Sequence, residues 1–209
     1  MEDIILVGFG GHAKSVVDSI ESSGIYHIVG YTDSEKTHDY HGYQCIGTDE
    51  VLNEYFKYGI HKAFIAVGYL GKGNLRHHLY ERLKQIGFQI PAIIDPTAVV
   101  GRDVEIGEGV YIGKKAVINA GVRVEKMSII NTGAIVEHES SVGEFSHIAV
   151  GSILCGNVSI GKECLIGAGT VVIQGKKIDD RVIIGAGSVV LSHVPKGKTV
   201  YGVVKGTNW

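Results

Sequence analysis

From Val100 onward the chain places an aliphatic residue at every sixth position without a slip. Positions 100, 106, 112, 118, 124, 130, 136, 142, 148, 154, 160, 166, 172, 178, 184 and 190 are all Val, Ile or Leu. Four residues after each, the side chain is small or β-branched, from Val104 to Val194, with Lys176 the exception. The residue directly after the aliphatic one is glycine seven times, at Gly101, Gly107, Gly113, Gly143, Gly161, Gly167 and Gly185. A period of six is neither the two of a long strand nor the 3.6 of a helix. It predicts one short strand and one corner per hexad. The aliphatic side chain points into a narrow prism, the small residue fits beside it, and the following glycine eases the bend. Three hexads close one coil, and coils stack at strand spacing, about 4.8 Å. A single coil cannot bury its own column, so the run has to be continuous. Ile94 begins the column after Pro91, and Asp95-Pro96 keeps the chain extended at its start.

Before residue 91 the pattern changes. Ile4–Gly8 is a short apolar run ending in glycine, as in a buried parallel strand. Ala13, Val16, Val17 and Ile20 then recur at helical spacing over His12–Ser22, with Gly24 as the stop. Ile28–Asp33 and Ala63–Gly68 read as two further strands. A helix over Val51–Lys57 is capped by Gly47-Thr48-Asp49-Glu50, and a helix over Asn74–Gln85 carries Leu75, Leu79 and Leu83 before Gly87. The order βαβ(α)βα is half of a doubly wound fold. Two domains follow, an α/β Rossmann-like domain over residues 1–90 and a β-helix over 91–209.

Composition narrows the class. Thirty glycines in 209 residues are about twice the usual share of about 7%. There are 26 Val and 26 Ile but only 9 Leu, which excludes a helical bundle, because β-branched side chains lose rotamer freedom in helices. Three prolines exclude collagen, and 44% apolar residues exclude disorder. A net charge of −2 with no basic run gives no reason to expect nucleic acid. Cys45, Cys155 and Cys164 are odd in number and lack C-x-x-C spacing, which fits a reducing compartment and no zinc ribbon. The opening MEDIILVGFGG is no signal peptide, and no apolar run reaches about 18 residues, so no membrane span is expected. The expectation is a cytoplasmic protein.

The loop Gly8-Phe9-Gly10-Gly11-His12-Ala13-Lys14 joins the first strand to its helix. Its glycines let the backbone approach a diphosphate, and a helix N-terminus supplies free N–H groups and a positive dipole. The segment contains G-x-G-x-x-A, and Asp33 ends the second strand where an acid commonly meets a ribose. A tight turn that binds nothing fits the same letters, with His12 only a first-turn residue.

The hexad run resembles the left-handed parallel β-helix of hexapeptide-repeat acyltransferases. With GFGGHAK, IVEHES (Ile135–Ser140) and FSHIAVG (Phe145–Gly151), nearly the whole chain is similar to the sugar O-acyltransferase, sialic-acid O-acetyltransferase-like family. Within it the likeness is greatest to bacterial N-acetyltransferases acting on UDP-4-amino sugars. The resemblance implies the left hand of the helix, a homotrimer, and acetyl-CoA held in grooves between neighbouring prisms. It implies His138 as general base, Glu139 as its orienter, and Gly156 as the N–H donor facing the thioester oxygen. It also implies Asn131 and His147, with Gly156, at acetyl-CoA. Gly8, Gly10, Gly11 and His12 would then cradle the UDP diphosphate, and Asp33 would meet the uridine.

The chemistry suits these residue types. Moving an acetyl group from a thioester to an amine needs a base near neutral pH, and an imidazole with a carboxylate fixing its tautomer provides one. No metal or acyl-enzyme is required. Cys155 and Cys164 have no adjacent base in the sequence. Two features depart from the family pattern: Thr32 precedes Asp33 where an acidic pair is common, and Gly202-Val203-Val204-Lys205-Gly206 replaces a G-x-P-A-K/R tail. Other readings stay open, namely O-acetylation of sialic acid or another sugar hydroxyl, a zinc hydratase needing three converging histidines, and a non-catalytic scaffold with His138 a solvent-facing corner residue.

Overall fold

The computed structural model describes residues 1–34 and 40–206. They divide into two compact units, the first made of the described residues up to 68 with 73–93, and the second of 69–72 with 94–206.

The first unit is a parallel four-stranded sheet in the order β3-β2-β1-β4. Strand β1 (Glu2–Val7) is the centre, and Ile4, Ile5, Leu6 and Val7 are fully buried. Helix α1 (Gly11–Ser23) buries Ala13, Val16, Val17 and Ile20 and ends at Gly24, whose φ of 64° is left-handed. Strand β2 (Tyr26–Thr32) leads to β3 (Cys45–Gly47), a three-residue strand too short to show in the apolar pattern. A 3-10 turn at Asp49–Val51 precedes α2 (Leu52–Lys57). Thr48 makes no capping bond there, and the Asp49 carboxylate instead accepts the Thr32 hydroxyl at 2.5 Å. Strand β4 stops at Ile65 (Ala63–Ile65) rather than running to Gly68, and the Arg76 guanidinium of α3 (Leu75–Ile86) holds the Val67 carbonyl beyond it.

The second unit is the left-handed parallel β-helix. Its short strands each pair with the strands one coil before and one coil after, as Ile129 does with Tyr111 and His147. Stacking yields three flat sheets, of seven, seven and five strands. The inner column is buried from Ile112 to Val190, while Val100 remains 39% exposed at the open end. The small residue four positions on is buried as well, and where it is serine its hydroxyl has to find an acceptor. Ser128, Ser140, Ser146 and Ser152 each donate to a carbonyl 15 residues ahead, at 2.8–3.1 Å.

The corners correct one expectation. The bend lies at the third residue after the column position, not the first. A left-handed φ recurs there at every hexad from Asp103 to Gly187, and eight of those residues are not glycine. The glycines that directly follow the column have no positive φ. They serve close approach instead: a Cβ on Gly143 would lie 2.6 Å from the Gly161 carbonyl carbon, and one on Gly167 would lie 2.5 Å from the Ala186 nitrogen. Glycine there lets coils touch.

Each residue before the column points outward, so every face has its own character. The first carries Tyr111, Ile129, His147, Leu165 and Ile183. The second carries Val99, Val117, Ile135, Ile153, Val171, Val189 and Val203, all β-branched. The third carries Glu105, Arg123, Ser141, Ser159 and Lys177.

Candidate active site

In the α/β unit, the loop after β1 and the end of β2 meet at the carboxyl edge of the sheet. Gly8 has φ 84°, and a Cβ there would lie 2.3 Å from a Val67 methyl. The Phe9 N–H donates to Asp33 Oδ2 at 2.7 Å, and the Phe9 ring stacks on Tyr31 at 3.8 Å. Asp33 therefore ties the loop to the end of β2. Gly10 caps α1 without any side-chain bond, and a Cβ on Gly10 or Gly11 would meet nothing within 4 Å. Among the described residues nothing crowds these two glycines, and His12 lies half-buried in the first turn. The positive end of the helix dipole and the uncrowded glycines give this edge the character that favours an anion.

In the β-helix, His138 stands on the corner between the second and third faces. Gly156 occupies the equivalent place one coil further on. A Cβ on Gly156 would fall 2.6 Å from both Nε2 and Cε1 of His138, so the imidazole edge occupies the space a side chain would take. Glu139 lies on the other side of the ring, its Oε2 3.7 Å from Nδ1, within ion-pair range and beyond a hydrogen bond. Glu137 is turned away, accepting the Asn119 amide at 2.8 Å. At this corner position the preceding side chain often folds back onto the N–H: Asn119 does so for Ala120 and Asn131 for Thr132. Gly156 is preceded by Cys155, which has no oxygen to do this.

Asn131 and His147 meet at the corner between the first and second faces, with Asn131 Nδ2 donating to His147 Nε2 at 3.1 Å. His147 is buried, and its Nδ1 bonds the Tyr69 carbonyl at 2.7 Å. The structure thus gathers His138, Glu139 and Gly156 in one cluster and Asn131 and His147 in another. In one chain the two clusters lie on either side of the second face. Among the described residues no group of three His, Cys, Asp or Glu side chains is placed to hold a metal ion. The buried Cys164 thiol is pushed up to about 11 by desolvation, which makes it a poor nucleophile. The tail departs from the family pattern yet stays in register, with Val203–Val204 pairing to Val189–Val190.

Residues 3–83 match the PglD N-terminal domain family, and residues 88–193 match the GMPPB C-terminal domain family. Among solved structures, a perosamine N-acetyltransferase from Caulobacter crescentus, in complex with CoA and GDP-perosamine, is 32% identical. It covers 99% of this chain and 98% of its own, with a TM-score of 0.92. The chain belongs to the hexapeptide-repeat sugar acetyltransferases. The acetyltransferase domain of PglB from Neisseria gonorrhoeae, in complex with acetyl coenzyme A, is also 32% identical, over 96% of both chains with a TM-score of 0.89. WeeI from Acinetobacter baumannii, 24% identical with a TM-score of 0.83 over 97% of both chains, shares the fold. A search of curated protein sequences finds no match.

Sequence reasoning missed two contacts around these clusters of the acetyltransferase. Asn119 beneath Glu137 sits a single coil away, so the coil length would have revealed it. Tyr69 against His147 has no such signal, because it lies outside the repeat.

Proposed function

We propose that the chain transfers the acetyl group of acetyl-CoA to the amine of a nucleotide-linked amino-deoxy-sugar, the 4-amine of a UDP sugar in its most specific form. The neutral amine attacks the thioester carbonyl, and His138 takes its proton as the C–N bond forms. The Gly156 N–H stabilises the oxyanion; the C–S bond then breaks and His138 returns the proton to the leaving thiolate. Glu139, on the Nδ1 side, orients the ring. The observation that carries this reading is His138 seated edge-on over Gly156, a base and a backbone donor within one small volume. Gly10, Gly11 and His12 receive the diphosphate, with Gly8 and Asp33 shaping the loop and Asp33 at the nucleoside end.

The active assembly is a homotrimer on this reading, with the site between copies. Its support is the second face, whose β-branched side chains stay partly exposed, Val99 and Val203 at 60%. The two clusters flank that face, so packing it against a second copy brings His138 of one chain toward Asn131 and His147 of the next. Among the described residues no helix is long and apolar enough to cross a membrane, and three free cysteines suit the reducing cytoplasm.

The test is thiol release from acetyl-CoA against a panel of UDP-, GDP- and dTDP-amino sugars and sialic acid. The expected result is turnover with a nucleotide amino sugar, reduced about 10²–10⁴-fold in His138→Ala. Preference for a sugar hydroxyl, or an unaffected His138→Ala, overturns the reading. Mixing inactive His138→Ala and His147→Ala chains should restore partial activity, since mixed trimers contain intact interfaces. No recovery in chains shown to exchange would place the site within one copy.

A further inference from the structure

The segment Tyr69–Lys72, between β4 and α3, lies against the first face of the β-helix. Three contacts seat it. The Tyr69 hydroxyl donates to the Glu163 carbonyl at 3.0 Å. The Tyr69 carbonyl meets His147 Nδ1 at 2.7 Å. Gly71, at φ +80°, is pressed so close that a Cβ would lie 2.9 Å from Ile183 and 3.3 Å from Leu165. His147, Leu165 and Ile183 are the stacked outward residues of three successive coils, so the segment is a strap laid along the face.

We propose that Tyr69 is a positioning residue for His147, and that His147 consequently contacts substrate only by accepting an N–H. A carbonyl oxygen only accepts, so the ring hydrogen sits on Nδ1. Nε2 of the neutral ring is then a lone pair, which is why the Asn131 amide donates to it. Asn131 cannot turn its oxygen that way without losing the Thr132 N–H, which its Oδ1 accepts at 2.8 Å. Burial holds the Tyr69 phenol at about 12, so it remains a donor to Glu163 throughout the neutral range.

The consequence rests on the acetyl-transfer reading. The thioester oxygen, an acceptor, finds no donor at Nε2 and is left to Gly156. The groups able to take the place of the Asn131 amide on that one lone pair are N–H donors, and the two substrates offer two: an amide of the pantetheine arm and the amine of the sugar. The strap, far from the base in sequence, thus decides which part of a substrate His147 reads.

The first test needs no variant. In ¹⁵N-histidine-labelled wild type at pH 7, His147 should give the Nδ1–H tautomer; an Nε2–H tautomer or an imidazolium would overturn the proposal. Tyr69→Phe and Gly71→Ala, which loosen the strap without touching substrate, should mix the tautomers. They should raise one KM about tenfold with kcat within twofold. A rise for acetyl-CoA assigns the pantetheine amide, and a rise for the amino sugar assigns the amine. A fall in kcat with both KM values unchanged overturns the positioning role. Failure of wild type to acetylate any amino sugar would instead sink the transfer reading, leaving the tautomer result standing.

Discussion

Glycine plays different parts in the two units. In the α/β loop Gly10 and Gly11 face open space, whereas in the β-helix Gly143 and Gly167 are closed over by the backbone of the next coil at 2.5–2.6 Å. The first kind leaves room for a ligand and the second lets layers of protein touch. Gly156 belongs to neither group, because what fills its missing side chain is the edge of His138. The environment a Cβ would meet, more than the residue type, tells a binding glycine from a packing one.

That contrast is open to attack at several strengths. Gly156→Ala should have the largest effect: the methyl displaces the His138 ring, and turnover should fall at least 100-fold while thermal unfolding stays near wild type. An active Gly156→Ala enzyme would place the base elsewhere. Gly143→Ala should do the reverse, costing about 1–3 kcal/mol of stability through overpacking and little activity per folded molecule, measured by denaturant melts beside thiol release. Gly10→Ala should raise KM for the nucleotide sugar about tenfold and leave KM for acetyl-CoA alone; equal shifts in both would deny the loop its role.

The smallest effect concerns charge. Glu144 lies between Lys162 at 2.8 Å and Lys126 at 3.3 Å, and its hydrogen bond to Lys162 is the main cause of a carboxyl held below the usual range. A depressed pKa stabilises the folded state above the unfolded carboxyl value, and that contribution is lost as pH falls through the folded one. Glu144→Gln should therefore lower the melting temperature by a few degrees at most near pH 7. The difference should vanish in acid.

How much of this was legible in the letters depends on range. The prism column was readable because a period of six is a property of neighbours along the chain. The corner was misread because Met127, Phe145 and Arg181 adopt left-handed φ at places where residue type gives no hint. There the stacked coils impose the conformation. Strand β3 was missed because three residues carry too little pattern, and β4 was drawn too long because Val67 is apolar while its carbonyl serves Arg76. His138 was readable from its flanking acids, and its seat over Gly156 follows from adding one coil. The Tyr69 strap was not readable, since 78 residues separate it from His147.

The register between coils carries a rule about length. Each strand faces the same way as its partner one coil above only because nothing has been added or removed between them. One hexad gained or lost inside the prism would keep the column intact and the fold sound, yet carry every later outward side chain round to the next face. The serine hydroxyls that reach forward to the following coil would still find carbonyls, so stability would give little warning. A lineage of such proteins can therefore drift in sequence far more freely than in coil length, and lasting insertions should come as whole turns or as loops thrown outward from a corner.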